Sequence, residues 1–269
     1  MTGRTNMGDT QYIVAQMEDH ICTIWLSRPE KRNAINYTMA VELVGLMKQL
    51  EKDEMLRAVI IRGEGKAFCA GADLGWMHND NLKPEEEPDS LLPNLFHTFY
   101  SFNKPLIAVV HGHVMGGALG IMAAADFVIA TNSALFSFSE VKLGLIPATI
   151  SPYVIRRTGE FNARRLMLSG KQIHATEARQ AGLVDIIAED NRLEDEINHL
   201  TQELLQNSPM ALQACKELIL SVAGQPLTQT LFDENARALK KVRQHQEAKE
   251  GMQAFLEKRK PEWTKSGKA

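Results

Sequence analysis

The feature that most constrains the fold is the order of a strand-like run, an amphipathic helix and a second strand-like run near the start of the sequence. Residues 21–26 are β-prone, and Arg28-Pro29 ends this run because proline donates no ladder hydrogen bond. Apolar residues then recur at spacings of three and four, which predicts one apolar helix face: Ala40, Leu43, Val44, Met47 and Leu50. Residues 58–61 are continuously apolar, as in a strand buried on both faces. This βαβ order predicts the α/β class.

Further runs extend this core. Residues 12–16 are also β-prone, and the polar residues before the next run predict a hairpin. Two strand-like runs, residues 106–110 and 127–130, flank a glycine-rich stretch and predict another βαβ unit. Beyond residue 200 the pattern is one of successive helices, with breaks at proline and glycine. We therefore predict a core over residues 1–200 and a C-terminal helical region over residues 201–269.

Residues 81–93 interrupt the rhythm of strands and helices. They contain three prolines and an acidic run of three glutamates. Prolines at this density favour irregular backbone, which predicts a mobile surface loop that could act as a lid over a substrate.

Charge and cysteine content exclude several classes of protein. The 30 Lys and Arg residues and 33 Asp and Glu residues give a net charge of -3, which predicts no basic surface for nucleic acid or for an anionic membrane. The three cysteines are far apart and form no CxxC pair, so we expect neither a metal site nor a disulfide framework. Free cysteines predict that the protein resides in a reducing compartment. Cys69 has no evident base beside it, so packing is its expected role.

The expected cellular location rests on the absence of a secretory signal and of a membrane-spanning segment from the sequence pattern. Residues 1–11 contain no apolar stretch that would predict a secretory signal. The uncharged run over residues 114–125 is too short to span a bilayer, which requires about 18 apolar residues. These features predict a soluble, cytoplasmic protein.

Two glycine-bearing stretches follow buried-type strands, over residues 67–74 and 112–118. Each could present backbone N–H groups at a helix start, where they lack intrahelical partners. Two such donors that converge on one oxygen would form an oxyanion hole. Alternatively, the glycines only permit turns and close packing. Neither stretch matches GxGxxG or the P-loop, so nucleotide phosphate binding has little support.

Glu140 is the acidic residue that best fits proton transfer. It lies in a mostly apolar stretch, where desolvation would raise the pKa of its carboxyl group. The alternative is a solvated surface carboxylate that faces Lys142.

In order and separation, these stretches resemble the enoyl-CoA hydratase/isomerase (crotonase) superfamily. The resemblance extends over nearly the whole chain, in six ordered segments: residues 28–34, 66–74, 104–126, 140–144, 178–184 and 250–261. It implies a crotonase-like spiral of ββα units with a helical C-terminal region, and trimers that often pair into hexamers. It also implies an acyl-CoA thioester substrate. Coenzyme A is then part of the substrate, and no separate cofactor is expected.

The same resemblance implies roles for individual residues. The catalytic groups would be the Glu140 carboxyl, which moves a proton, and the backbone N–H groups of Ala70 and Gly117, which hold the thioester oxygen. Residues 70–74 would border the pantetheine and the acyl group, while Arg32 and Ala34 would lie near the adenine and phosphates. Phe255 and Lys258 would complete the coenzyme pocket, either in the same subunit or in another. The substrate-binding set is Arg32, Ala34, Ala70, Gly71, Ala72, Asp73, Leu74, Gly117, Phe255 and Lys258. Arg32 and Lys258 could equally be solvated charges.

The chain departs from the family pattern at Gly120. The standard hydratases position water with two glutamates; the second matches Glu140, but the first falls on Gly120, which has no side chain. A single glutamate could still serve a hydratase if the substrate or another side chain fills the space above Gly120. Residues 116–120 together with residues 139–153 look most like the branch of methylglutaconyl-CoA hydratase of leucine breakdown and the related isoprenoid-acid hydratases. A substrate with a distal carboxylate could use this room. Candidates to meet that charge are Lys142, Arg156 and Arg157.

Two alternative functions remain open at this level. One carboxylate suffices for an isomerase, which removes a proton at one carbon and returns it two carbons away. The chain could also be a non-catalytic binding protein for acyl-CoA or RNA, since one superfamily relative binds RNA through its first core helix. The corresponding segment here offers only Lys48 and Lys52 as basic residues, against Glu42, Glu51 and Asp53, so it lacks the positive charge that RNA binding requires.

Overall fold

The computed structural model describes residues 10–264. Its strands are β1 (Ile13–Glu18), β2 (Ile21–Leu26), β3 (Ala58–Gly63), β4 (Leu106–Val110), β5 (His113–Met115), β6 (Phe127–Thr131), β7 (Leu135–Ser137), β8 (Ile173–His174) and β9 (Ile186–Ala188). Its α-helices are α1 (Tyr37–Glu51), α2 (Leu74–Met77), α3 (Pro88–Ser101), α4 (Ala118–Ala124), α5 (Ser151–Ser169), α6 (Ala175–Gln180), α7 (Leu193–Leu205), α8 (Pro209–Val222), α9 (Gln229–Gln244) and α10 (Gln246–Leu256). The predicted lack of a signal segment concerns mainly residues 1–9, which lie outside the described range.

The larger sheet has the strand order β1-β2-β3-β4-β6-β9. β1 pairs with β2 in an antiparallel hairpin, and all other neighbours in this sheet are parallel. The hairpin turns at Asp19 and His20, which both have positive φ, a geometry that matches the twist of the two strands. The predicted hairpin and the α/β class are thus confirmed.

Helix α1 shows why the first βαβ unit forms. Asn36 caps its start by accepting a hydrogen bond from the Met39 N–H at 2.9 Å. The predicted apolar stripe is buried, and it packs in one continuous core with β2, β3 and the apolar face of α3. Burial of this stripe, rather than intrinsic helix propensity, supplies most of the stability of such a helix.

A smaller sheet, in the order β5-β7-β8, begins with a strand inside the glycine-rich stretch between β4 and β6. Two isolated parallel bridges hold residues 69–72 between two other segments. Ala72 pairs with Ile35, just before α1, and Cys69 pairs with Val114 in β5. Cys69 is fully buried, and burial raises the pKa of its thiol to about 12. These pairings bring both glycine-bearing stretches to one place.

The prediction of a mobile loop over residues 81–93 is wrong in its second half. A single 3-10 turn covers Pro84–Glu86, and α3 begins at Pro88. Proline is tolerated there because the first N–H groups of a helix have no intrahelical partner. Pro93 lies inside the helix, where burial of Leu92, Leu95, Phe96 and Phe99 offsets its local cost.

The C-terminal part is helical, as predicted. The proposed division at residue 200 falls inside α7, and the division into two regions remains a prediction. Helix α8 buries no residue fully, and its Lys216 Nζ donates to Asp126 Oδ2 at 2.6 Å and to the Lys104 carbonyl at 3.0 Å. Within residues 10–264, no helix combines the length and apolar character needed to cross a bilayer.

Candidate active site

Asn33 anchors the segment that precedes α1. Its side-chain amide donates to the carbonyls of Glu64, Ala67 and Phe68 at 2.9–3.1 Å, and its Oδ1 accepts from the Arg28 N–H at 2.8 Å. All of these bonds are intrachain, and the side chain is fully buried. Asn33 therefore joins the first loop to the residues before Cys69, a role that its position in the Arg28–Ala34 segment alone did not reveal.

The Ala70 N–H is already engaged, since it donates to the Arg32 carbonyl at 2.9 Å. Using Ala70 as a donor to a substrate oxygen would require breaking that bond. This is a departure from the residue pair expected from the sequence.

The Ala72 N–H, by contrast, is free among the residues that the structure describes. The Gly71 carbonyl accepts a hydrogen bond from the Ile35 N–H at 2.8 Å. Because a trans peptide is planar, the N–H of Ala72 in that same peptide must point to the opposite side. The free N–H of Ala72 is therefore identified by the hydrogen bond between Ile35 and Gly71, which residue spacing in the sequence does not reveal.

Gly117 lies against this free N–H. A Cβ added to Gly117 would stand 3.5 Å from the Ala72 nitrogen, and a Cβ on Gly71 would stand 3.2 Å from the Gly117 nitrogen. The Gly117 N–H has no hydrogen-bond partner within residues 10–264 either. Gly71 itself has φ of 93°, and a Cβ there would lie 2.7 Å from the Met115 carbonyl oxygen, so only glycine fits. Two free amides are thus adjacent at the joint between the two stretches.

Glu140 begins a 3-10 turn, Glu140–Leu143, which ends at Gly144 in the left-handed conformation. Its Oε1 lies 3.4 Å from the position of a Cβ on Gly116, the residue before Gly117. Its Oε2 is buried and has no hydrogen-bond partner among the described residues. Burial raises the pKa of the carboxyl group, and a hydrogen bond from its own backbone only partly opposes this. The predicted desolvation is confirmed, and a fully solvated carboxylate is not what the structure shows.

The space above Gly120 is filled by the protein. A Cβ on Gly120 would overlap Ile150 Cγ2 and would lie 2.7 Å from Phe96 Cε1. The extra room that a substrate carboxylate could have used is therefore absent, and side chains from α3 and the start of α5 replace it. A glutamate side chain at position 120 would collide with Ile150 and Phe96.

Asp73 has several intrachain partners. Its Oδ1 caps α2 by accepting from the Gly75 N–H at 2.8 Å, and its Oδ2 pairs with Arg28 Nη1 at 2.6 Å. Burial alone would raise the pKa of this carboxyl group, but these bonds and the charge of Arg28 together lower it. The next residue, Leu74, is 55% exposed. Contact of either residue with a substrate remains a prediction.

The residues expected to hold coenzyme A lie in two places. Arg32 has φ of 51° and an exposed side chain, and the Ala34 carbonyl accepts a hydrogen bond from Arg28 Nη1 at 3.1 Å. Phe255, which is 84% exposed, and Lys258 lie at the end of α10. Within the described chain, no hydrogen bond or ion pair joins this pair to Gly117 or Ala72. Their roles in coenzyme binding remain predictions.

The three basic residues proposed to meet a distal carboxylate differ in their partners. Arg157 donates to the carbonyls of Ala125 and Leu183 and pairs with Asp185, so all three nitrogens of its guanidinium are engaged within the protein. Arg156 and Lys142 are exposed and form no ion pair within residues 10–264. They are the cations left to meet a ligand.

Replacing Gly120 by Ala tests whether its space is filled. We expect Gly120→Ala to lower the free energy of unfolding by about 1–3 kcal/mol, because a methyl group there overlaps Ile150 and Phe96. The matched control is Gly45→Ala in α1, where a Cβ meets nothing within 4 Å; it should be neutral or stabilising by up to about 1 kcal/mol. Urea unfolding at one protein concentration measures both. Equal stability of the two variants would contradict the packing described.

Comparison with known proteins identifies the family of this chain. Residues 16–266 match the family model for enoyl-CoA hydratase/isomerase. A Thermus thermophilus protein with the provisional name enoyl-CoA hydratase is 38% identical over 90% of this chain and 96% of its own. The 2,3-dehydroadipyl-CoA hydratase of Escherichia coli is 32% identical over 93% of this chain and 98% of its own.

Solved structures of the family share the fold. The crystal structure of an enoyl-CoA hydratase from Shewanella pealeana has a TM-score of 0.89 and 33% sequence identity, over 95% of this chain and 97% of that one. The predicted crotonase-like fold, with its mostly parallel sheet and helical C-terminal region, is thus confirmed. The chain belongs to the enoyl-CoA hydratase/isomerase family.

Proposed function

We propose that the protein is a hydratase that adds water across the 2,3 double bond of an enoyl-CoA thioester. The observation that carries the proposal is the carboxylate of Glu140, whose buried Oε2 has no hydrogen-bond partner among the described residues and which lies against Gly116, the residue before the free amide of Gly117. An amide pair can stabilise charge on a carbonyl oxygen, and a desolvated carboxylate can exchange a proton with water. The reaction requires both groups at one site.

The amide pair in this proposal is that of Ala72 and Gly117. When water adds at C3, the electrons of the double bond move towards the thioester, and its oxygen becomes enolate-like. Two preorganised N–H donors bind that oxygen more strongly than the neutral carbonyl of the substrate. We place Ala72 in the role first expected of Ala70, because the Ala70 N–H is already bonded to Arg32.

Glu140 performs both proton transfers. Its carboxylate accepts a proton from the attacking water as the oxygen bonds to C3, and the resulting carboxylic acid returns that proton to C2. Its raised pKa makes the protonated form more accessible than for a solvated glutamate, which suits a group that must gain and lose a proton in each turnover. No second acid is available at Gly120, where Ile150 and Phe96 occupy the space.

The acyl group that we propose is branched and ends in a carboxylate, as in 3-methylglutaconyl-CoA. Support comes from the residue pattern over residues 139–153 and from the free cations Lys142 and Arg156. A relative named 2,3-dehydroadipyl-CoA hydratase also points to such a group, since an adipyl chain ends in a carboxylate.

We also propose that the chain forms a homotrimer or hexamer in the cytoplasm. The C-terminal helices expose several large apolar side chains that another subunit could cover: Leu218, Ile219, Phe232, Leu239, Met252, Phe255 and Leu256. The three unpaired cysteines suit a reducing compartment.

The second candidate is an isomerase, because one carboxylate can also move a double bond and the family includes both activities. Separate incubations with a 2-enoyl-CoA and a 3-enoyl-CoA, scored by product mass, distinguish the two. We expect the 2-enoyl-CoA to gain the mass of one water and yield a 3-hydroxyacyl-CoA. If only the position of the double bond changes, the isomerase is correct and the hydratase proposal fails.

Replacing Glu140 by Gln tests the acid–base role. Gln keeps the shape of the side chain but cannot take the proton, so we expect kcat to fall by roughly 100- to 10,000-fold. Hydration of crotonyl-CoA, followed by loss of the conjugated thioester absorbance, measures this. The control is Glu160→Gln, a carboxylate that is 76% exposed on α5 and should leave kcat unchanged. A folded Glu140→Gln variant with normal turnover would defeat the assignment.

The pH dependence of the rate should reflect the burial of Glu140. Hydration starts from the ionised carboxylate, so activity is lost as pH falls through the pKa of this group. Since burial raises that pKa above the ordinary glutamate value of 4.5, the acidic limb of kcat/KM should lie at higher pH than for a solvated glutamate. A pH–rate profile on crotonyl-CoA measures the limb. An acidic limb at or below pH 4.5 would contradict the desolvated site.

A further inference from the structure

An aromatic row leads away from the amide pair. The Phe96 ring lies beside Gly117, which caps the start of α4, and beside Gly120 within that helix. Phe96 Cζ is 3.7 Å from the position of a Cβ on Gly117, and Phe96 Cε1 is 2.7 Å from the position of a Cβ on Gly120. The Tyr153 ring is tilted against Phe96, with centroids 6.4 Å apart. The Tyr100 ring is tilted against Tyr153, with centroids 5.2 Å apart. The row therefore runs from the thioester end of the site to two phenols.

Both phenols have unused hydrogen-bonding capacity. Tyr100 and Tyr153 are half-buried, and neither hydroxyl has a hydrogen-bond partner in the part of the chain that is described. Burial and the neighbouring Tyr100 raise the pKa of Tyr153, which keeps its hydroxyl protonated at neutral pH. A partly desolvated hydroxyl without a partner is costly, so a ligand group that accepts hydrogen bonds would be favoured there.

A positive charge lies beside this pair. Arg156 is one helical turn after Tyr153 on α5, and residues at this spacing share a helix face. Its charge acts on Tyr153, where it partly opposes the rise in pKa. The next residue, Arg157, is held by Asp185 and two carbonyls, whereas Arg156 has no ion pair within residues 10–264. Two O–H donors and one free cation thus share a neighbourhood.

We propose that Tyr100, Tyr153 and Arg156 bind a carboxylate at the far end of the acyl group. This inference rests on the proposed function, because it assumes that the thioester lies at Ala72 and Gly117. O–H donors make short, strong hydrogen bonds to a carboxylate, and the guanidinium balances its charge. A plain hydrocarbon chain would offer none of the three groups a hydrogen-bond acceptor or a negative charge. The acyl preference is therefore set by the aromatic row rather than by space at Gly120.

Binding of two saturated ligands tests this without relying on the reaction. Glutaryl-CoA has a distal carboxylate, butyryl-CoA has none, and neither has a double bond to hydrate or shift. Isothermal titration calorimetry on the purified full-length protein gives both Kd values. We expect the wild-type chain to bind glutaryl-CoA more tightly. Tyr153→Phe, Tyr100→Phe and Arg156→Gln should each weaken glutaryl-CoA binding by roughly tenfold and leave butyryl-CoA binding nearly unchanged.

Two variants away from the aromatic row serve as matched controls. Arg164→Gln removes an arginine of the same helix, which is 70% exposed and paired with Glu160. Tyr12→Phe removes a phenol hydroxyl near β1. Neither should change the ratio of the two Kd values.

The outcomes separate this inference from the proposed reaction. Equal affinity of the wild-type chain for the two ligands would overturn the carboxylate site. So would an equal loss for both ligands in the three variants, since that result indicates a structural role of the aromatic row. If the glutaryl-CoA preference and its loss are observed but no 3-hydroxyacyl-CoA forms from any 2-enoyl-CoA, the carboxylate site is supported and only the hydratase proposal fails.

Discussion

The site depends on one hydrogen bond, from the Ile35 N–H to the Gly71 carbonyl. Because the peptide is planar and trans, this bond turns the next N–H, that of Ala72, away from Ile35 and towards Gly117. Asn33 supports the same segment through three carbonyls, and the left-handed φ of Gly71 lets it approach Met115 closely. The free amide pair is therefore held by the backbone before any ligand binds, and such preorganisation is what makes an oxyanion hole effective.

The second component of the site is the partly buried carboxylate of Glu140, which lies beside the free amide pair. Glu140 keeps a buried Oε2 without a partner among the described residues, which is costly for folding but useful for proton transfer. The chain accommodates the loss of a second carboxylate by packing Ile150 and Phe96 into its place. In the function that we propose, one glutamate takes and returns the proton, and the same apolar packing leads to the tyrosines that would select the acyl group.

Some structural features followed from local patterns, and others did not. The stripe from Ala40 to Leu50 predicted α1, and the apolar run at residues 58–61 predicted β3, because burial imposes a period on each element. The start of α3 was missed, since Pro88 suggested a loop although proline is acceptable in a first helical turn. The direction of a single N–H was also beyond the pattern, because it depends on a pairing partner 36 residues earlier in the chain, as Ile35 is to Gly71.

The sequence alone determined the α/β class, the family resemblance, the candidate acid Glu140 and the absence of a second glutamate at Gly120, because residue type and order decide these. Only the tertiary structure decided which amide is free, what fills the space above Gly120, and which of the neighbours Arg156 and Arg157 has no ion pair among the described residues. Each of these depends on contacts between residues far apart in the chain: Ile35 with Gly71, Ile150 with Gly120, and Arg157 with Asp185. Local spacing does not encode such contacts, because they arise only when distant segments pack together.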